Sequence, residues 1–154
     1  MPDPLDALYR DVLMDHYHNP RGRKKIEEPD VHNEGKNPAC GDEIEMELKI
    51  NGDTIEHIHV GCTGCAISVS SGSMLADIVE GKSLPEVRRI AGIVKAMLVG
   101  DQLPDDVNLG DLKALEGVRK FPVRVKCALL SWTTLVDSLQ VYENGSHAQV
   151  STTE

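Results

Sequence analysis

Apolar residues recur along the chain in two rhythms. Leu5, Leu8, Tyr9, Val12 and Leu13 fall on one stripe of a helix over residues 3–18, with Asp3 as its N-cap and Pro4 at its first turn. The stretch from Asn19 to Asn37 is polar and punctuated by Pro20, Gly22, Pro29 and Gly35, and it reads as an extended connector. From Glu43 the rhythm changes to strict alternation, Ile44, Met46, Leu48 and Ile50, which is a half-buried strand. Asn51-Gly52 then signals a hairpin into a second strand over about Thr54 to Val60. Ile55 is out of phase with Ile58 and Val60; a bulge or a longer loop reconciles them.

The helical period returns over residues 66–80, with Met74, Leu75, Ile78 and Val79 apolar and Gly81 as C-cap. Ser83-Leu84-Pro85-Glu86 is a capping box that opens a helix carrying Val87, Ile90, Val94, Met97 and Leu98, closed by Gly100. Asp101 to Asn108 reads as a polar loop. Leu109, Leu112 and Leu115 mark a short helix ending at Gly117. A last helix is expected from near Lys126 or Cys127, with Ala128, Trp132, Leu135, Val136 and Leu139 along one side. The pattern predicts an α+β fold, a small antiparallel sheet of about three strands covered by about five helices. Residues 1–154 are expected to form one domain, with 143–154 as a flexible tail.

Composition narrows the function classes. Hydrophobic residues make up 40% of the chain and aromatics 3%, so the core must rest on aliphatic side chains and methionine. A net charge of -9 disfavours nucleic acid and anionic membranes as partners. No apolar run reaches the length of a membrane span, and the start Met1-Pro2-Asp3-Pro4 is unlike a secretory signal, so a cytoplasmic location is expected. Thiols stay reduced there, and the four cysteines point to metal or sulfur chemistry.

Cys40-Gly41-Asp42 sits where the connector meets the first alternating strand, Cys65 just before a helix, and Cys127 near the start of the last one. A thiolate at a helix N-terminus is favoured by the partial positive charge there. Arg119, Lys120, Arg124 and Lys126 surround Cys127 in sequence and are expected to lower its pKa. Three thiolates and one carboxylate can close a tetrahedral zinc site or hold iron with sulfide, and the harder carboxylate makes such a site easier to empty. Each residue also has a plainer reading. Cys127 can be a small hydrophobe on an apolar face, Asp42 a solvated residue at a strand start, and the cations an exposed surface. The spacing alone does not choose.

Three local patterns compete. His57, His59, Cys62 and Cys65 form a compact H-x-H-x-x-C-x-x-C set that suits zinc. His32-Asn33-Glu34 followed by Cys62 and Cys65 echoes the zinc deaminase pattern, but Gly61 stands where that pattern has proline. The same cysteine pair suits thioredoxin-type redox work, though an antiparallel hairpin precedes it.

Several ordered motifs favour the dispersed set. They are Leu8-Tyr9-Arg10-Asp11-Val12-Leu13-Met14-Asp15-His16-Tyr17, Asn19-Pro20-Arg21-Gly22, Asn37-Pro38-Ala39-Cys40-Gly41-Asp42, Gly64-Cys65-Ala66-Ile67-Ser68, Ser71-Gly72-Ser73-Met74 and Arg124-Val125-Lys126-Cys127-Ala128-Leu129-Leu130-Ser131-Trp132. Here the chain resembles the scaffold family of iron–sulfur cluster assembly, comprising the NifU N-terminal domain, IscU and SufU. The resemblance implies Cys40, Asp42, Cys65 and Cys127 as ligands of a zinc ion or a 2Fe-2S cluster, and gives Cys62 no role. The long Cys65-to-Cys127 segment, and Lys126 where IscU has histidine, resemble the SufU branch. The segment from Phe121 to Lys126 matches the chaperone-recognised motif of IscU only loosely.

The resemblance further implies a cysteine desulfurase as partner, and a downstream iron–sulfur acceptor or SufBCD-type assembly proteins as clients. A scaffold of this kind is not an enzyme; a SufU-type protein is a zinc-dependent sulfurtransferase. Cys40 is the expected sulfur acceptor, with Cys127 as its rival. Two other classes remain open: a structural zinc module, and a zinc hydrolase or deaminase using a base such as Glu34.

Overall fold

The protein was analysed as a computed structural model that describes residues 4–101, 103, 109–144 and 150–152, with side chains described from residue 10 to residue 144 within those limits. In chain order the elements are α1 (Pro4–His18), β1 (Val31–Asn37), β2 (Asp42–Asn51), β3 (Thr54–Thr63), α2 (Ala66–Val79), α3 (Leu84–Val99), a 3-10 helix (Gly110–Lys120), α4 (Pro122–Asn144) and β4 (Val150–Thr152). The sheet runs β3-β2-β1-β4. Its first three strands are antiparallel, and β4 joins β1 in parallel. The α+β architecture is therefore the expected one, extended by one short strand.

Alternation along β2 sorts its side chains. Asp42, Ile44, Met46, Leu48 and Ile50 point to the helical side and are buried there. Lys49 pairs with His57 and Ile50 with Ile55, which leaves Glu56 as the extra residue of a β-bulge. The bulge is what lets Ile55, Ile58 and Val60 all enter the core. Gly52 begins the two-residue hairpin loop with a φ of +65°, a conformation glycine adopts without strain.

Helices α2 and α4 pack against each other and cover β3 and β1 respectively. Met74 and Leu75 from α2 and Leu130, Trp132 and Leu135 from α4 are fully enclosed against the inner face of the sheet. The expected caps of α3 are present. Ser83 Oγ accepts from Glu86 N at 3.4 Å, and Gly100 closes the helix at φ +88°. The Asp3 cap and the side chains of Leu5, Leu8 and Tyr9 lie outside the described residues, as does most of the polar loop before residue 109.

Two expectations fail. The polar connector ends in a strand, β1, which pairs with β2 from Val31↔Leu48 to Asn37↔Asp42. Its inward positions Asn33, Gly35 and Asn37 are polar or bare, so hydrophobic periodicity gives no sign of it. They meet polar groups of α4: Asn33 Nδ2 donates to Ser138 Oγ at 3.2 Å and to Thr134 O at 3.5 Å. Secondly, α4 begins at Pro122, where a proline suits the first helical turn, and not near Cys127. Within residues 143–154, α4 continues to Asn144, and Val150–Thr152 pairs with Glu34, Gly35 and Lys36. Residues 145–149, 153 and 154 lie outside the described set.

A Cβ at Gly35 would overlap Thr134 Oγ1 and press on Ile44 Cγ2 at 2.8 Å. Gly35→Ala is expected to push α4 off β1 and to cost about 1–3 kcal/mol of stability. Urea unfolding checks this, and an unchanged midpoint would show that the close approach is not required.

Candidate functional site

The β1–β2 turn builds one wall of the site. Cys40 N and Gly41 N both donate to Asn37 O, at 3.2 and 2.9 Å. Gly41 takes a φ of +72°, so the chain reverses tightly and leaves Cys40 at the tip. Asp42, the first residue of β2, then turns inward and is only 1% exposed.

The second wall is the turn from β3 into α2. Cys65 caps α2, as its sequence position suggested, and its N–H donates to Asp42 Oδ1 at 2.9 Å. Its thiol lies 3.8 Å from Asp42 Oδ2 and 3.7 Å from Ser68 Oγ. Gly64 precedes it at φ +146°, and any Cβ there would collide with Asp42 Oδ1. The third wall is α4. Cys127 Sγ lies 3.2 Å from Cys40 Sγ and accepts from Asn37 Nδ2 at 3.5 Å. Cys40, Asp42 and Cys127 thus offer a sulfur, a carboxylate oxygen and a sulfur all within 4.8 Å of one another. Cys65 stands beside this group, against Asp42.

The electrostatics differ from the expectation. Cys127 lies in the second turn of α4, beyond the reach of the helix's terminal charge. Burial pushes its pKa up, and hydrogen bonds with Cys40, Asp42 and Cys65 push the same way. Desolvation of the thiolate outweighs the surrounding cations, so the expected lowering does not occur. Among those cations Arg124 faces the thiols. Its own pKa is raised, first by a hydrogen bond with Cys127 and then by the charges of Cys65, Cys127 and Cys40.

The local alternatives are dispersed by the pleat of β3. His57 faces outward beside Glu56, and His59 reaches Glu45 on the outer face. Cys62 points into the core, 3% exposed, with its pKa raised to about 11 chiefly by burial. His32 and Glu34 lie on the outer face of β1, across the sheet from Cys62, which removes the deaminase-like grouping. All four cysteines are free thiols.

Two residues at the site were not singled out individually from the sequence. Asn37 is completely buried, and its Oδ1 has no hydrogen-bond partner among the described residues. Its place at the head of the Asn-Pro-Ala-Cys-Gly-Asp turn was the available signal. Arg124 stands in the sequence as one of four cations and at the head of the last motif; its position about one helical turn before Cys127 separates it from the others.

Burial orders the thiols, and it also raises the proton affinity of Cys62 and Cys127. In metal-free protein at pH 8, Cys40 and Cys65 are expected to react with iodoacetamide at least about tenfold faster than Cys62 and Cys127. Timed labelling with mass mapping reads this directly, and equal rates would refute it.

Comparison with known proteins bears on the family. Residues 8–128 match the NifU-like N terminal domain. The zinc-dependent sulfurtransferase SufU of Bacillus subtilis (strain 168) is 40% identical over 142 residues, which is 92% of this chain and 96% of that protein. The iron–sulfur cluster assembly scaffold protein IscU of Streptococcus pyogenes serotype M1 is 36% identical over 143 residues, 93% of this chain and 89% of its own. A crystal structure of a candidate iron–sulfur cluster assembly scaffold protein for the SUF system, from Fervidobacterium islandicum AW-1, superposes with a TM-score of 0.79 at 32% identity, covering 84% of this chain and 94% of that one. The NifU-like N-terminal protein of Brucella abortus shares the fold, with a TM-score of 0.82 at 22% identity over 92% of this chain and 99% of its own. With most of its length inside the family model and relatives matched nearly end to end, the chain belongs to the NifU-like N-terminal domain family.

Proposed function

We propose that this protein serves iron–sulfur cluster assembly by accepting sulfur from a cysteine desulfurase at a centre formed by Cys40, Asp42, Cys65 and Cys127. The observation that carries the proposal is the meeting of Cys40, Asp42 and Cys127 within 4.8 Å, although they come from the β1–β2 turn, β2 and α4. Ligands of one tetrahedral zinc ion with bonds of about 2.3 Å stand roughly 3.8 Å apart. The 3.8 Å from Cys65 Sγ to Asp42 Oδ2 is close to that spacing, and the Cys40 and Cys127 sulfurs, 3.2 Å apart, would need to separate slightly to share an ion. The donor chemistry, three sulfurs and one carboxylate, fits zinc, and zinc at this point would keep the thiols deprotonated and shielded from oxidation.

Within the set the residues divide the work. Cys40 sits at the turn tip, beside a cleft of about 580 Å³ lined by Lys120, Phe121, Pro122, Val123 and Arg124. Phe121 and Val123 are 60% and 59% exposed, an apolar rim on which a partner can seat. A Cys40 thiolate entering from this side attacks the outer sulfur of the desulfurase's persulfide. The new S–S bond forms on Cys40 while the old one breaks, and the desulfurase cysteine leaves as a thiolate. Arg124 supplies positive charge to the anionic sulfurs. Cys127, fully buried, is poorly placed for that first contact, which favours Cys40 over its rival. Asp42 holds the α2 N-terminus through Cys65 N–H and contributes the weakest metal-binding atom of the set.

The same four donors suit a transient 2Fe-2S cluster as cargo, and relatives named as scaffolds favour that second reading. On either account, the sulfur or the cluster passes to SufBCD-type assembly proteins or another iron–sulfur acceptor. Free thiols suit the reducing cytoplasm, where we place this work. Among the described residues no helix is long and apolar enough to cross a membrane. A hydrolase or deaminase reading loses its base, because Glu34 is across the sheet from the thiols.

Anaerobic purification with metal and sulfide analysis, then incubation with a cysteine desulfurase and free cysteine, tests the proposal. Mass mapping is expected to place the extra sulfur on Cys40, and Cys40→Ser to abolish it; transfer to Cys127 or to no residue would overturn the assignment. A purely structural zinc module would unfold on metal removal and take no sulfur. Asp42→Ala is expected to keep or tighten a bound cluster and to slow its delivery to an acceptor protein, so faster delivery would exclude a releasing role for Asp42.

A further inference from the structure

The outer face of the sheet gathers side chains that the thiol centre does not use. Strand alternation sends Glu45 and Glu47 to this side of β2, His32 and Glu34 to this side of β1, and His59 to this side of β3. In register, Glu47 stands between His32 and His59, while Glu45 stands between Glu34 and Gly61. The two histidines converge diagonally on Glu45. His59 Nε2 lies 3.1 Å from Glu45 Oε1, and His32 Nε2 lies 3.6 Å from Glu45 Oε2. Potential ligand atoms of Glu45, Glu47 and His59 are all within 4.8 Å of one another, as are those of His32, Glu34 and Glu45.

Three further features favour an ion here over a simple polar surface. His59 is 4% exposed, and with Nε2 engaged by Glu45 its Nδ1 has no hydrogen-bond partner among the described residues. A buried imidazole therefore has unused bonding capacity, which is costly unless something offsets it. Secondly, Glu45 has the carboxylate of Glu34 on one side and that of Glu47 on the other, and the ammonium in contact with Glu45 is that of Lys25, 3.0 Å from Oε1. The Lys25 side chain is 66% exposed, so a cation can displace it. Thirdly, Gly61 leaves room: a Cβ there would stand 3.3 Å from His59 Nε2, and a cleft of about 290 Å³, lined also by Lys36 and Glu43, opens on the Glu45 side of the group beside Glu34 and Gly61. Water ligands have space to complete a coordination shell.

We propose that Glu45, Glu47 and His59 form a second metal site, for a divalent first-row transition cation, with His32 supporting it from the other oxygen of Glu45. Its donors are imidazole nitrogen and carboxylate oxygen with no sulfur, which suits iron(II), cobalt(II) or zinc and separates it chemically from the thiol centre. It is also separate in space. Glu45 is three residues from Asp42 along β2, about 10 Å, and projects from the opposite face. Glu45 bridges the two imidazoles, and Glu47 completes the set beneath Ile26, whose N–H donates to Glu47 Oε1 at 3.3 Å.

The test loads the full-length protein with one equivalent of zinc and titrates cobalt(II) anaerobically, following zinc content and the visible spectrum. The expected result is one further equivalent of cobalt bound with weak ligand-field bands, no thiolate-to-cobalt charge transfer, and zinc retained. Glu45→Gln is expected to abolish this binding, and His32→Ala, at a half-exposed position that leaves the core intact, to weaken it at least about tenfold. Lys25→Ala should tighten it by about two- to fivefold by removing the competing ammonium. No cobalt beyond the thiols, a sulfur charge-transfer band on the second equivalent, or binding indifferent to both Glu45→Gln and His32→Ala would overturn the site. The zinc equivalent reports separately on the thiol centre, and should zinc fail to load, the sulfur-free cobalt spectrum and its loss in Glu45→Gln still decide the matter.

Discussion

A carboxylate taken out of water must be met by donors or by a cation, and Asp42 imposes that requirement on one end of this fold. Its Oδ1 is met by the N–H of Cys65, which fixes the turn before α2 against the first residue of β2. That contact demands a bare Cα at Gly64 and brings the Cys65 thiol to the other carboxylate oxygen. The opposite flank depends on Asn37, whose carbonyl closes the Cys40 turn and whose amide reaches Cys127. Three separate stretches of chain therefore converge because each satisfies polar groups on another. A metal or an iron–sulfur unit would add to that convergence without having to create it.

The same logic explains what the sequence reveals and what it conceals. Strand β2 and helices α2 and α3 are legible because their inward faces are apolar and their ends carry Ser83, Gly81 and Gly100. Strand β1 is hidden because its inward face is Asn33, Gly35 and Asn37, matched by Thr134, Ser138 and Cys127 of α4. A seam built from polar pairs has no hydrophobic period to read. The early start of α4 is concealed differently, by a proline that reads as a break until it is seen to occupy a first turn. Cys40, Asp42, Cys65 and Cys127 are expected from the family resemblance that the ordered motifs carry, since their spacing alone does not choose them. Their electrostatic balance could not be read in the same way. Neighbouring cations are visible in a sequence, whereas the burial that raises the proton affinity of Cys127 arises only on folding.

Strand β2 has a further role as a divider. Its even positions begin with Asp42 and continue into the core, and its odd positions carry Glu45 and Glu47. A period of two thus assigns sulfur-rich and nitrogen–oxygen chemistry to opposite sides of a single layer of backbone. The histidine motifs that read locally as rivals to the thiol centre fall on the far side. They fail as members of a cysteine site because His59 and Cys62 are an odd number of residues apart and so project from opposite faces of β3.

The borders of the sheet are also occupied by the chain itself. Val150–Thr152 lies along β1, while Gly22 O accepts from Val60 N and Arg23 Nη2 donates to Cys62 O along β3. Bare strand edges recruit foreign polypeptides through unselective main-chain pairing, the route by which β-proteins self-associate. Where these contacts fall, less bare backbone is left for other proteins to pair with. The cleft beside Cys40, with its aromatic and guanidinium rim, offers instead a surface that discriminates among visitors by shape and charge.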